Sequence, residues 1–122
     1  MTLKVGLPWP PSGNLYWRHG RGRTYIDKPG KTFRENVAAA IGGERLLMQG
    51  RLVVDIEAHP PDNRRRDLDN VLKALLDALE HAGVYEDDSQ IDKLSIVRQE
   101  VRRPKGCVVV TVRQVVPPRG DT

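Results

Sequence analysis

The stretch LVVDIEAHPPDNRRRDLDNVLKALLDALEHAG, residues 52–83, decides the fold. It opens with Leu52, Val54, Ile56 and Ala58 alternating against Val53, Asp55, Glu57 and His59. Successive side chains of a strand point to opposite faces, so this pattern predicts a half-buried strand. Pro60 and Pro61 cannot donate to a ladder and end it. A polar, basic loop follows from Asp62 to Arg66. The period then changes to that of a helix. Leu68, Val71, Leu72, Leu75, Leu76, Leu79 and Ala82 form one apolar stripe. Gly83 falls just past the last turn, where a left-handed backbone favours glycine.

Working outward, residues 3–7 place Leu3, Val5 and Leu7 on one face and predict a short strand, ended by Pro8, Pro10 and Pro11. Residues 12–28 are rich in Gly, Arg and His and read as an irregular basic loop. Pro29 suits an early helical position. Phe33, Val37, Ala40, Ile41, Glu44 and Leu47 recur at helical spacing, with one polar exception. Gly42-Gly43 should weaken or bend that helix, at about 1 kcal/mol each relative to Ala. Beyond Gly83, the acidic turn Glu86-Asp87-Asp88 leads into a strand over 91–101. Arg103-Pro104-Lys105-Gly106 reads as a turn, and residues 107–116 as its hairpin partner. The order β-α-β-α-β-β predicts a mixed α/β (α+β) fold. It is read as a single small domain, residues 1–116, with a four-stranded-type mixed sheet covered by two helices. Residues 117–122 are expected to form a flexible tail.

The chain has 122 residues, with 20 Lys+Arg against 16 Asp+Glu and a net charge of +4. That length suits one domain with a modest core, which oligomerisation would help. The basic balance favours acidic partners, nucleic acid first. Cys107 is the sole cysteine, which excludes an intramolecular disulfide and a cysteine-based zinc site. Residues 1–4 lack the apolar core of a signal peptide, and no apolar run nears the ~20 residues of a membrane helix. A soluble, cytoplasmic protein without membrane contact is expected. The absence of a Gly-rich phosphate loop argues against a small-molecule nucleotide cofactor or substrate.

The chemistry concentrates in Arg64-Arg65-Arg66-Asp67-Leu68-Asp69-Asn70. Asp67 sits where an N-cap belongs, Asp69 in the first helical turn, and Asp88 on the turn after the helix. Mg²⁺ prefers oxygen ligands and keeps several waters, so two or three carboxylates beside a substrate phosphate suit it. Each residue also has a purely structural reading: Asp67 as a cap, Asp69 as a partner for the helix dipole, Asp88 as a turn former. The sequence leaves open whether Asp88 returns to the start of a helix ~22 Å long. Lys73 lies four residues after Asp69, either as a surface pair or as a cation near a scissile phosphate. Arg64, Arg65 and Arg66 are placed for phosphate contacts. Arg18, Arg21 and Arg23 form a second basic stretch, and Tyr16 and Trp17 before it offer stacking surfaces. His19, His59 and His81 show no metal-ligand spacing.

Taken together, Arg66-Asp67-Leu68-Asp69-Asn70, Lys73, Asp77-Ala78-Leu79, Gly83, Asp87-Asp88 and Gln90 resemble the RusA family of Holliday-junction resolvases. The segment Leu7-Pro8-Trp9-Pro10-Pro11-Ser12, with Asn14, Arg18-His19 and Arg21-Gly22-Arg23-Thr24, is similar to that family as well. The similarity runs over roughly residues 3 to 113. It implies a homodimer of mixed α/β subunits and a Mg²⁺-dependent endonuclease, with Mn²⁺ as a substitute, that makes paired symmetric cuts in four-way DNA. It implies bacterial hosts and, commonly, phage or prophage genes. The family's metal-binding, catalytic aspartates fall on Asp67, Asp69 and Asp88, with Asp87 adjacent, and its functional lysine on Lys73. Gly13 and Gly42-Gly43 depart from the family pattern, away from the acidic residues. The rival readings are a non-catalytic binder of branched DNA, a metal-dependent phosphohydrolase of small nucleotides, and a family nuclease that prefers forks or flaps.

Overall fold

The computed structural model describes residues 1–12 and 28–115, together with the backbone of 17–20 and 23–26. Its elements are β1 (Thr2–Pro8), β2 (Trp17–Gly20), β3 (Arg23–Ile26), α1 (Lys28–Ile41), β4 (Leu52–His59), α2 (Asp69–His81), a 3-10 turn (Asp88–Gln90), β5 (Ile91–Arg98) and β6 (Cys107–Gln114). β1, β6, β4 and β5, in that spatial order, form one four-stranded mixed sheet. β4 pairs parallel to β5 and antiparallel to β6, and β6 pairs antiparallel to β1. The small α+β domain and its element order agree with the sequence reading.

Three expectations change. The 12–28 loop contains a hairpin: Trp17–Gly20 pairs antiparallel with Arg23–Ile26, apart from the main sheet. β6 is not the hairpin partner of β5, because β4 lies between them. Val108, Val110 and Val112, all fully buried, put β6 in the sheet interior, whereas β5 carries Lys93, Asp92 and Arg98 and takes the edge. Gly42 and Gly43 end α1 rather than bend it. Both have positive φ (95° and 77°), so Glu44 and Leu47 fall outside the helix.

Both helices cover the same face of the sheet. Phe33 and Val37 of α1 join Val71, Ala74, Leu75, Ala78 and Leu79 of α2 over Leu7, Val54, Ile56 and the β6 valines. The buried stripe of α2 therefore runs through Ala74 and Ala78, whose small side chains let the helix approach closely, while Leu68, Leu72 and Leu76 are only partly covered. β4 is more than half-buried, with Val53 and His59 at 5% exposure, because it has neighbours on both sides. The opposite sheet face presents Lys4, Glu57, Lys93 and Arg113 to solvent. No helix among the described residues is long and apolar enough to cross a membrane.

The start of β6 sets where two loops leave the sheet. Cys107 pairs with Pro8 at the end of β1 and with His59 at the end of β4. The segments leaving those two strands, residues 9–12 and 60–68, therefore emerge at the same edge of the domain.

Candidate functional site

The loop between β4 and α2 is held by Asp62. Its carboxylate accepts both terminal nitrogens of Arg66, through Nη1 and through Nη2 at 3.2 Å, and the backbone N–H of Arg64 at 2.9 Å. The hydrogen bond from Arg66, then that from Arg64, holds the Asp62 carboxyl at about 2, below its ordinary range. Arg98 on β5 donates to the Arg66 carbonyl at 2.7 Å. The three arginines thus divide. Arg66 is folded inward, its side chain 25% exposed, whereas that of Arg64 is 84% exposed. Arg65 is exposed and makes no ion pair among the described residues. The i,i+4 spacing of Asp62 and Arg66 is the sequence signal for this staple.

α2 starts one turn position later than the sequence suggests. Leu68 occupies the N-cap with helical φ and ψ and no side-chain cap. Asp67 contributes its backbone carbonyl, which accepts from Asn70 N–H at 3.2 Å. Its carboxylate is therefore not consumed as the predicted cap. Asp67 and Asp69 are both exposed, and neither side chain has a hydrogen bond or ion pair among the described residues. Lys73 follows one turn on, also exposed. A groove of about 660 Å³ opens beside Asp67. Trp9, Pro10, Pro11 and Ser12 form one wall, Arg64 to Asp67 the other, with Asn70 and Val71 between.

The far end of α2 is built differently. Val84 N–H reaches the Leu79 carbonyl at 3.0 Å and Gly83 N–H that of Glu80 at 2.9 Å, closing the helix with Gly83 at φ 80°. The glycine expected there is required twice over: a Cβ would also lie 2.8 Å from Arg45 Cγ. Tyr85 is fully buried and donates to the Leu76 carbonyl at 2.8 Å. Burial, and then the negative charge of Asp88, push its hydroxyl pKa up. The following turn is closed by Asp87, whose carboxylate accepts Ser89 N–H at 2.8 Å, and by Gln90, whose Oε1 accepts Asp87 N–H at 3.1 Å. This reciprocal capping box has its own sequence signal, Asp87-x-x-Gln90, which a reading of the turn as merely acidic misses.

Asp88 therefore sits at the C-terminal end of α2. Its N–H donates to Glu80 Oε1 at 2.9 Å, and carboxylate oxygens of Glu80, Asp87 and Asp88 come within 4.8 Å of one another. Partial desolvation, and then its neighbour Asp87, raise the Asp88 carboxyl, while the bond from Ser89 lowers that of Asp87. Asp69 and Glu80 are eleven residues apart on one helix, roughly 16 Å along its axis. The chain thus places Asp67 near Asp69, and Asp88 near Glu80 and Asp87, but does not bring the two groups together.

Arg21 and the side chains of Tyr16, Trp17, Arg18 and Arg23 lie outside the described residues, as does the 117–122 tail. His59 is buried and its Nδ1 lies 3.1 Å from the Glu100 carbonyl, a packing role. His81 ends α2, in its last turn.

The fold and site define a small α+β domain in which the unpaired carboxylate of Asp67 lines a groove together with arginines and a tryptophan, residue types suited to nucleic-acid phosphates and bases. Comparison with known proteins narrows this. Residues 8–113 match the family model of endodeoxyribonuclease RusA. The crossover junction endodeoxyribonuclease of Enterobacteria phage 82 is 47% identical over 104 residues, 84% of this chain and 87% of its own. Those of Escherichia coli K12 and Shigella sonnei are each 45% identical over the same shares. The chain belongs to the RusA endodeoxyribonuclease family.

Proposed function

We propose that this protein resolves four-way DNA junctions by paired, symmetric phosphodiester hydrolysis during recombination and repair. The observation that carries this reading is the family match over nearly the whole chain to relatives named crossover junction endodeoxyribonucleases. The exposed, unspent carboxylates of Asp67, which lines the arginine-walled groove, and of Asp69 two residues on support it.

Asp67, Asp69 and Asp88 are the residues that would hold Mg²⁺, with Mn²⁺ as a substitute. Their all-oxygen donor set suits a hard dication, and Asp88 is taken rather than Asp87 because the Asp87 carboxylate caps the turn by accepting Ser89 N–H. A divalent ion bound there supplies an acidified water and charge stabilisation at the scissile phosphate. Lys73 stabilises the charge that develops on that phosphate, and the cut leaves 5′-phosphate and 3′-hydroxyl ends. Arg64 and Arg65 hold the backbone near the site, Arg66 shapes their loop, and Arg18, Arg21 and Arg23 hold the junction arms.

The separation of Asp88 from Asp67 and Asp69 is closed by a homodimer. In it, Asp88 of a second copy meets Asp67 and Asp69 of the first, giving two sites related by the two-fold that a four-way junction also has. The edge strand β5 leaves Leu94 exposed on the helix-covered face and Val97 on the opposite face, at 39% and 52%, and its outer edge is unpaired in the sheet, open to such contact. The cytoplasm of a bacterial host, including one carrying a phage or prophage, is the proposed setting.

The test is a labelled four-way junction and a matched linear duplex, each with and without Mg²⁺. Symmetric nicks on the junction alone are expected, with binding that weakens steeply with salt. Tight binding without nicking in Mg²⁺ or Mn²⁺ would make the protein a binding module. Faster cutting of forks or flaps would move its substrate within the family. Mixing Asp69→Asn and Asp88→Asn subunits then tests the shared site: mixed dimers regain one intact site only if each site draws on both subunits.

A further inference from the structure

The groove between Trp9 and Arg64 has a composition that phosphate contacts alone do not explain. A surface that only follows a DNA backbone needs cations. This one has an indole and two prolines facing them. Trp9 is half-buried and packs against the core, and Pro10 is buried. The apolar wall is therefore held rigidly, with little conformational entropy to lose on contact. Across from it, Arg64 and Arg65 are exposed, while Arg66 is tied back to Asp62 and keeps their loop in place. A volume of about 660 Å³ is the size of a pocket for one small molecule rather than a bed for a duplex.

One DNA component offers both a flat π-face for the indole and an anion for the arginines: a single nucleotide taken out of the stack. Stacking against an aromatic ring is tolerant of base identity, and arginines grip the flanking phosphate. Extrusion costs least where pairing and stacking are already incomplete. At a four-way branch point the bases are paired but the stacking between arms is interrupted, whereas a linear duplex is stacked throughout, so extrusion costs less at the branch point.

We propose that this groove receives one nucleotide extruded from the branch point, its base against Trp9 and its phosphate on Arg64 and Arg65. The neighbouring phosphodiester is thereby set beside Asp67, which also lines the groove. Trp9 is a specificity-determining residue in this arrangement: it converts the interrupted stacking of a junction into binding that a duplex cannot match. This rests on the reading of the Arg64–Asp67 face as the nuclease's DNA surface.

Two measurements in metal-free buffer test it. A four-way junction carrying 5-iodouracil at one branch-point nucleotide is irradiated with the wild-type protein, and the cross-linked residue is mapped by mass spectrometry. A cross-link at Trp9 is expected, and its absence from Trp9 overturns the proposal. Trp9→Leu and Trp9→Phe are then compared for junction and linear-duplex affinity. Trp9→Leu should lose about ten-fold in junction affinity with duplex affinity unchanged, and Trp9→Phe should recover most of it. An unchanged junction-to-duplex ratio in Trp9→Leu overturns the proposal. If Trp9→Leu does not fold, the cross-link and Trp9→Phe still decide it. Nicking by the wild type in Mg²⁺ is scored separately. Nicking without a Trp9 cross-link removes the pocket and leaves the nuclease reading, whereas a Trp9 cross-link without nicking does the reverse.

Discussion

The two ends of α2 are both acidic, yet their carboxylates are employed differently. At the start, Asp62 does the structural work: it staples Arg66 and leaves Asp67 and Asp69 without partners among the described residues. At the finish, Asp87 closes the 3-10 turn and Glu80 accepts the Asp88 N–H, so structural duties and the candidate ligand share one cluster. The contrast separates an acid that shapes the chain from one whose carboxylate the fold does not use. Neighbouring aspartates of the same motif fall on opposite sides of that division.

The largest effect should come from removing an available acid. Asp69→Asn is expected to lower junction nicking by on the order of 10³-fold, about 4 kcal/mol of barrier. Junction affinity should hold or rise, since a negative charge beside DNA is lost. Single-turnover cleavage and a binding titration read the two separately. Nicking at the wild-type rate would show that the start of α2 is not the metal end.

A smaller effect, on stability, is expected at the other end. Gly83→Ala forces a side chain onto a left-handed residue, at about 1–2 kcal/mol, before any displacement of Arg45. Thermal unfolding should show a lowered midpoint, and nicking per folded molecule should fall only as far as the Asp87-Asp88 turn moves. An undiminished midpoint would mean that the helix does not need this ending.

The smallest effect lies in acid. The folded Asp62 carboxyl, held at about 2, lies below its unfolded value, so its contribution is fully present above about pH 4 and is lost as pH falls towards 2. An NMR titration of the Asp62 carboxyl should find the lowered midpoint, and Arg66→Gln should return it towards the ordinary carboxylate range. An unmoved midpoint would remove Arg66 as its cause.

Much of this architecture is local and therefore legible in the sequence. The stripe of α2 and the glycine after it are set by residues within a turn or two of each other. Strand neighbours are another matter. β5 and β6 follow one another across a Pro-Gly turn, and only the burial demanded by Val108, Val110 and Val112 sends β6 past β4 to the middle of the sheet. For the site, the motif locates Asp67 and Asp69, but capping preference assigns Asp67 a duty that its backbone carbonyl performs instead. Trp9 is not legible as a wall because the groove joins segments some fifty residues apart in sequence.

Those segments are spaced by a ruler. Trp9 follows β1, the arginine loop follows β4, and β6 alone lies between, with Cys107 facing the last residue of each. Two inter-strand steps amount to about 10 Å. A slip of β6 by one residue would turn its three buried valines to solvent. The gauge of the groove is thus calibrated by the same register that fills the interior, and a change that widened it would be felt first as a loss of folding.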